Sequence, residues 1–319
     1  MRKSLFIILT TFIFCASSYS QDSTKPKQSD TTDISKLLEE QLQSEEKNTT
    51  QYVTATFKTT RLVNGHTVET TAKGVLDVRI DHRFGPVAGR SGGPYNFFGL
   101  DDATMRMGFE YGLTNRLMIG IGRSTNEKTY DALLKWKILR QSTGKVKIPV
   151  TLDYALTFAL QTDSSGLSAT DKKAIKQQFS RRFSFTHQLI IGRKFTEGLS
   201  LQIMPTVVHR NYPLDGGKND VWAFGFGGRQ KLSKRTSFNA EYYYQLSEYK
   251  VPGTYNTFSV GFDIETGGHV FQLHLTNARG MTESLFVPGT TYSWGKGEIR
   301  MGFNLSRVFT LGKKHTKEW

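Results

Sequence analysis

The chain has 319 residues, 37% hydrophobic and 12% aromatic, with a formal charge of +14 and a mean hydropathy of −0.41. Charged residues at 22% beside that aromatic content exclude global disorder. Beyond residue 20 no stretch approaches the roughly 20 continuous apolar residues of a membrane helix, which excludes a helical membrane protein but not a barrel.

Residues 1–20 read as a secretory signal, with Arg2 and Lys3 as its basic start, an apolar core over 5–14 and a largely small-residue end over 16–20. Cleavage is expected after Ser20. Cys15, the single cysteine, falls inside the signal, and bulky Phe14 before it argues against a lipoprotein. The remaining chain is then cysteine-free, as suits an exported protein without a disulfide framework. An exported basic chain points to anionic lipid headgroups or solutes, and not to nucleic acid.

Residues 21–50 begin as a polar linker containing Pro26. Ile34, Leu37, Leu38 and Leu42 then follow helical spacing, which predicts a short amphipathic helix over 34–46. Residues 51–73 predict a β-hairpin about the Asn64-Gly65 turn. Ala55, Phe57, Thr59 and Arg61 share one face and Thr54, Thr56, Lys58 and Thr60 the other, so neither face suits lipid. The hairpin is expected outside the bilayer or tucked into a lumen; the alternative is that it adds two strands to the barrel.

From residue 74 to 311 one pattern repeats. Leu76, Val78, Ile80 and Phe84 alternate with Asp77, Arg79, Asp81 and Arg83, and Ile299, Met301, Phe303 and Leu305 alternate with Glu298, Arg300, Gly302 and Asn304. Successive side chains of a strand point to opposite faces, so each segment has an oily face and a charged or glycine face. The segments are 75–84, 104–113, 116–123, 130–139, 148–160, 183–193, 199–209, 221–231, 237–246, 255–265, 269–278 and 298–309. The fold expected is all-β, a transmembrane antiparallel barrel of about twelve strands with a short N-terminal helix and hairpin extension. Residues 312–319 form a tail. Trp319 is a terminal aromatic of the kind recognised by outer-membrane assembly machinery, although 310–319 do not alternate and Phe309 reads as the strand end.

Connections provide a second, independent signal. Those over 85–103, 161–182, 210–220 and 280–297 are long, and those over 114–115, 194–198, 232–236 and 266–268 are short. Outer-membrane barrels have short periplasmic turns and long external loops, which orients the barrel and leaves the N-terminal extension in the periplasm. The loop over 161–182 gathers Lys172, Lys173, Lys176, Arg181 and Arg182, within reach of lipopolysaccharide phosphates.

The oily face carries the aromatics expected of interfacial girdles, among them Trp136, Trp222, Phe224, Phe226, Tyr242, Tyr244 and Phe262. Glycines 108, 112, 120, 122, 192, 225, 227, 261 and 302 fall on the inward parity, which leaves space either for a water channel or for the N-terminal segment. The lumen-lining candidates are Asp77, Arg79, Asp81, Arg83, Arg106, Glu110, Asp131, Lys135, Lys137, Asp153, Arg229, Glu241, Asp263, His274, Glu298 and Arg300. Their signs nearly cancel, which suits cross-strand ion pairs and argues against strong charge selectivity.

No catalytic, metal or cofactor constellation is found. There is no HExxH helix, no GxSxG elbow and no phosphate-cradling glycine loop ahead of a helix. His82 and His187 have outward parity, but no facing serine is identifiable.

The stretch FKTTRLVNGHTVET, residues 57–70, followed by LDVRIDHRFG, residues 76–85, resembles an uncharacterised outer-membrane β-barrel family of Bacteroidota, a domain of unknown function. The resemblance implies a membrane barrel and transfers no activity. The function expected is a pore or binding protein for small solutes with weak charge selectivity. A plugged, non-conducting docking barrel with a periplasmic contact is the alternative, and a membrane lipid hydrolase the third.

Overall fold

The computed structural model describes Lys36, residues 38–41, Ser44 and residues 48–89, 91–164, 168–213 and 217–311. Residues 1–20, expected to be a signal, most of the expected linker and the tail over 312–319 lie outside the described residues. Lys36, residues 38–41 and Ser44 are helical, within the stretch expected to form a helix.

Fourteen strands are present among the described residues: β1 Thr50–Tyr52, β2 Val75–Pro86, β3 Ala103–Gly112, β4 Leu117–Ser124, β5 Thr129–Leu139, β6 Ser142–Gly144, β7 Thr151–Gln161, β8 Phe183–Lys194, β9 Leu199–Arg210, β10 Asp220–Lys231, β11 Thr236–Gln245, β12 Thr257–Thr266, β13 His269–Thr276 and β14 Arg300–Thr310. All except β1 and β6 form one closed barrel of twelve antiparallel strands in chain order. The ring closes where β14 pairs with β2, with Leu305 opposite Ile80 and Phe303 opposite His82. An even count lets the first and last strands meet antiparallel, which removes every free edge.

Burial follows the two-residue period. In β10, Val221 and Ala223 are 0% and 3% exposed, whereas Trp222, Phe224 and Phe226 between and beyond them are 46%, 43% and 49% exposed. Tyr130, Trp136, Tyr244, Phe262 and Leu273 stand out in the same way from other strands. A continuous aromatic and aliphatic outer surface of this extent is unfavourable in water and favourable against lipid.

The core lies inside the ring and is built from two insertions. At the short-turn rim β1 pairs with β6, Thr50 opposite Gly144, and Val53 N–H donates to the Gln141 carbonyl at 2.9 Å. The chain then runs into the lumen and turns at Asn64-Gly65. Leu62 N–H donates to the Gly65 carbonyl at 2.8 Å and Thr67 N–H to the Thr60 carbonyl at 2.9 Å. It returns to Gly74 and enters β2, so the hairpin fills the lumen and contributes no strand to the wall. From the long-loop rim the segment between β13 and β14 folds inward. Its helix, Glu283–Gly289, lays Phe286 and Val287, 0% and 1% exposed, against the far wall of β8 to β11.

Candidate functional site: the occupied lumen

A hairpin outside any sheet has backbone N–H and C=O groups that need partners, and leaving them unpaired in a buried place is costly. Wall side chains meet this need. The Glu241 carboxylate accepts from the backbone N–H groups of Val63 at 3.2 Å, Asn64 at 2.9 Å and Gly65 at 3.1 Å, and from the Asn64 side chain at 2.7 Å. Gln272 Nε2 donates to the Leu62 carbonyl at 2.7 Å, Asn304 Nδ2 to Val63 at 2.9 Å and Gln202 Nε2 to His66 at 2.8 Å. The Lys135 ammonium donates to the carbonyls of Thr67 and Glu69, and Arg229 to those of Ala55 at 3.0 Å and Thr56 at 3.1 Å. The wall thus recognises the hairpin backbone from tip to base.

Side chains add to this. Arg61 is 2% exposed and lies 3.1 Å from Glu283 of the inward loop and 3.8 Å from Glu110 of the wall, so one guanidinium ties together both insertions and the barrel. Arg83 donates to Asn64 Oδ1 at 2.8 Å and Thr60 to Glu110 at 2.5 Å. Burial, with Arg61 next in weight, holds the His66 imidazole well below its ordinary range. Burial raises the Glu283 carboxyl against the opposing pull of Arg61.

Every inward charge named from the sequence is buried, none above 9% exposed. Glu110, Glu241, Arg79, Arg83, Lys135 and Arg229 touch the hairpin. Some also link strand to strand: Arg106 lies 3.3 Å from Asp81 and 2.5 Å from Asp131, and Lys135 lies 3.9 Å from Asp153, while Arg79 lies 2.9 Å from Asp81 along β2 itself. Asp77 accepts from Ser306 at 2.7 Å and Asp263 from Gln272 at 2.8 Å. Nearer the long-loop rim, Arg300 lies 3.8 Å from Asp102 and Glu298 accepts from Ser293 N–H at 3.1 Å. Lys137 and His274 are buried in the same wall.

The inward glycines divide by what occupies the space above them. A Cβ at Gly192 would lie 2.7 Å from Val68, one at Gly227 2.6 Å from Leu62, and one at Gly112 would collide with the Ala72 carbonyl. These three make room for the hairpin. Gly108 and Gly122 make room for Arg106, which crosses the intervening strand β4 over Gly122 to reach Asp131.

Sequence reasoning missed three neutral members of this site, Gln202, Gln272 and Ser259, and placed Asn304 on the inward face without a role, because inward amides and hydroxyls resemble any polar wall. It also missed the inward loop. There the signal was the apolar set Met281, Leu285, Phe286 and Val287 inside a connection expected to be polar.

On the outer face, His82 stacks on Phe303 with ring centroids 4.8 Å apart, and His187 Nδ1 meets the Tyr154 hydroxyl at 2.7 Å. Neither contact supplies a serine nucleophile. Among the described residues no group of three or more His, Cys, Asp or Glu side chains is arranged to hold a metal.

Residues 57–309 match the family described as Membrane bound beta barrel domain (DUF5777). No curated protein matches the sequence. Similar solved structures include the NanC porin, 10% identical over 74% of this chain and 98% of that one with a TM-score of 0.45. The KdgM porin is 9% identical over 74% and 99%, with a TM-score of 0.43. An outer membrane channel from Pseudomonas putida F1 is 12% identical over 76% and 97%, with a TM-score of 0.45.

Proposed function

The chain belongs to this family of membrane-bound β-barrels, and from that premise we propose that it is an outer-membrane passage for small solutes held closed at rest by its own hairpin. The single observation that supports this reading is the match between the wall and the hairpin backbone, centred on Glu241 and the Asn64-Gly65 tip. Polar attachment of this kind is reversible, because water can take over each bond when the hairpin withdraws. The route of withdrawal is the short-turn rim, which the loop lengths assign to the periplasm together with the N-terminal extension. The vacated wall carries both charge signs, so the passage has weak charge selectivity. No catalytic role, cofactor or metal is proposed.

Lys172, Lys173 and Lys176 are exposed at the opposite rim, where they meet lipopolysaccharide phosphates in this orientation. Assignment of the family to Bacteroidota rests on the resemblance over residues 57–70 and 76–85.

A second reading has its own support: the lumen is filled from both rims, as suits a closed docking barrel. A disulfide lock separates the two. Asn64 and Ser259 meet at 2.9 Å, and Cys15 is the only cysteine in the sequence. Asn64→Cys with Ser259→Cys is expected to be silent in planar bilayers when oxidised and to show intermittent openings after reduction, because the substitution also removes the Asn64 side-chain bonds that seat the tip. Equal, non-zero currents in both states would refute the hairpin as the gate. Silence in both states, and also after deletion of residues 21–72, would leave the docking reading.

A further inference from the structure

At the long-loop rim, above the inward loop, a cleft of about 220 Å3 opens among the ends of β7, β8 and β9. Arg181 and Arg182, from the turn that leads into β8, and Arg210, at the end of β9, all line it, and among the described residues Glu127 is the one lining carboxylate. Arg182 donates to the carbonyls of Gln161 at 3.3 Å and Thr162 at 2.8 Å. Arg181 donates to the Ala174 carbonyl at 3.1 Å and lies 5.3 Å from the centroid of the Tyr212 ring.

These partners are neutral. They fix the two guanidinium planes, and among the described residues no carboxylate lies in ion-pair contact with either one. In the lumen, by contrast, Arg79 and Arg106 each lie against a carboxylate. Nearby Asp171 is engaged by the Tyr212 hydroxyl at 2.8 Å and the Ser168 hydroxyl at 2.6 Å. The lysines of the same loop, Lys172, Lys173 and Lys176, are exposed and do not line the cleft.

A fixed guanidinium fork favours planar or tetrahedral oxyanions and binds them with paired donors. We propose that this cleft is a binding site for a small soluble anion of the carboxylate or phosphate class. Its volume falls below the roughly 300–1,000 Å3 of sites for drug-sized ligands, so the anion is small. Ser184 is in the lining as well and places a hydroxyl-bearing side chain beside the arginines. The inference stands apart from the gate: binding is read without conductance, so it survives if the hairpin never moves.

The test is calorimetric titration of the full chain, purified in neutral detergent and freed of lipopolysaccharide, with succinate, inorganic phosphate and glycerol at low salt. Saturable binding of succinate or phosphate but not glycerol is expected. Arg181→Gln with Arg182→Gln is expected to weaken it by about tenfold or more, and Lys172→Gln with Lys173→Gln to leave it unchanged. Should the arginine pair fail to fold, Arg181→Lys with Arg182→Lys, which keeps the charge and loses the fork, is expected to weaken binding by a smaller factor. Absence of binding by either anion, equal weakening by the lysine pair, or binding of added lipopolysaccharide alone would overturn the proposal.

Discussion

Two segments fill the lumen, and they are held by different forces. The hairpin over 51–73 enters at the short-turn rim and buries Phe57, Leu62 and Val68, but what distinguishes it is the set of hydrogen bonds from Glu241, Gln272, Asn304, Lys135 and Arg229 to its backbone. The loop between β13 and β14 enters at the long-loop rim and is fixed mainly by apolar burial, with Ala278, Met281, Phe286 and Val287 at 0%, 1%, 0% and 1% exposure. Phe286 also packs edge-on against Tyr243, ring centroids 5.0 Å apart. Polar contacts exchange with water at small net cost, whereas extracting buried aromatic and aliphatic groups costs the full transfer free energy. Withdrawing the hairpin therefore also exposes Phe57, Leu62 and Val68, and the wall's polar groups are what water can take over in exchange.

The largest expected effect is deletion of residues 21–72, which should convert a silent barrel into a conducting one in planar bilayers while the closed ring persists. Shortening the loop should not do so. Next, Phe286→Ala is expected to destabilise the barrel by about 3–5 kcal/mol in urea unfolding, the usual cost of truncating a buried phenylalanine, without producing current. Glu241→Ala removes the acceptor of three backbone N–H groups and should weaken hairpin seating by about 3 kcal/mol, seen as intermittent currents with little change in the unfolding midpoint. If Glu241→Ala instead lowers the midpoint as far as Phe286→Ala, the hairpin is as structural as the loop and the comparison fails. The smallest perturbation is protease on intact cells. Cleavage should fall near Lys172 to Lys176 and spare Lys231 to Arg235; the reverse pattern would invert the assignment of the rims.

The wall was legible because strand alternation is a local property: the charge written at Asp81 and the oil at Ile80 declare their faces without help from the rest of the chain. The turn at Asn64-Gly65 was legible for the same reason. What fills the lumen was not, because the inward glycines suit water or protein equally until their neighbours are known. Gly192 and Gly227 become informative once Val68 and Leu62 stand above them. Glu241 read as one lumen charge among many, since nothing local marks a carboxylate that will gather three backbone donors. The inward loop lay beyond strand logic altogether, although an apolar run between glycines at 280 and 289 was there to be noticed.

The glycine notches under the hairpin also serve as a diagnostic. Seating needs a bare backbone at 112, 192 and 227 together, since a methyl at any one of them intrudes on Ala72, Val68 or Leu62. A related sequence with bulky residues at all three sites has lost the mould for an internal stopper, and its lumen should stand open without any engineering. Three letters of sequence would then sort self-stoppered barrels from open ones before either is purified.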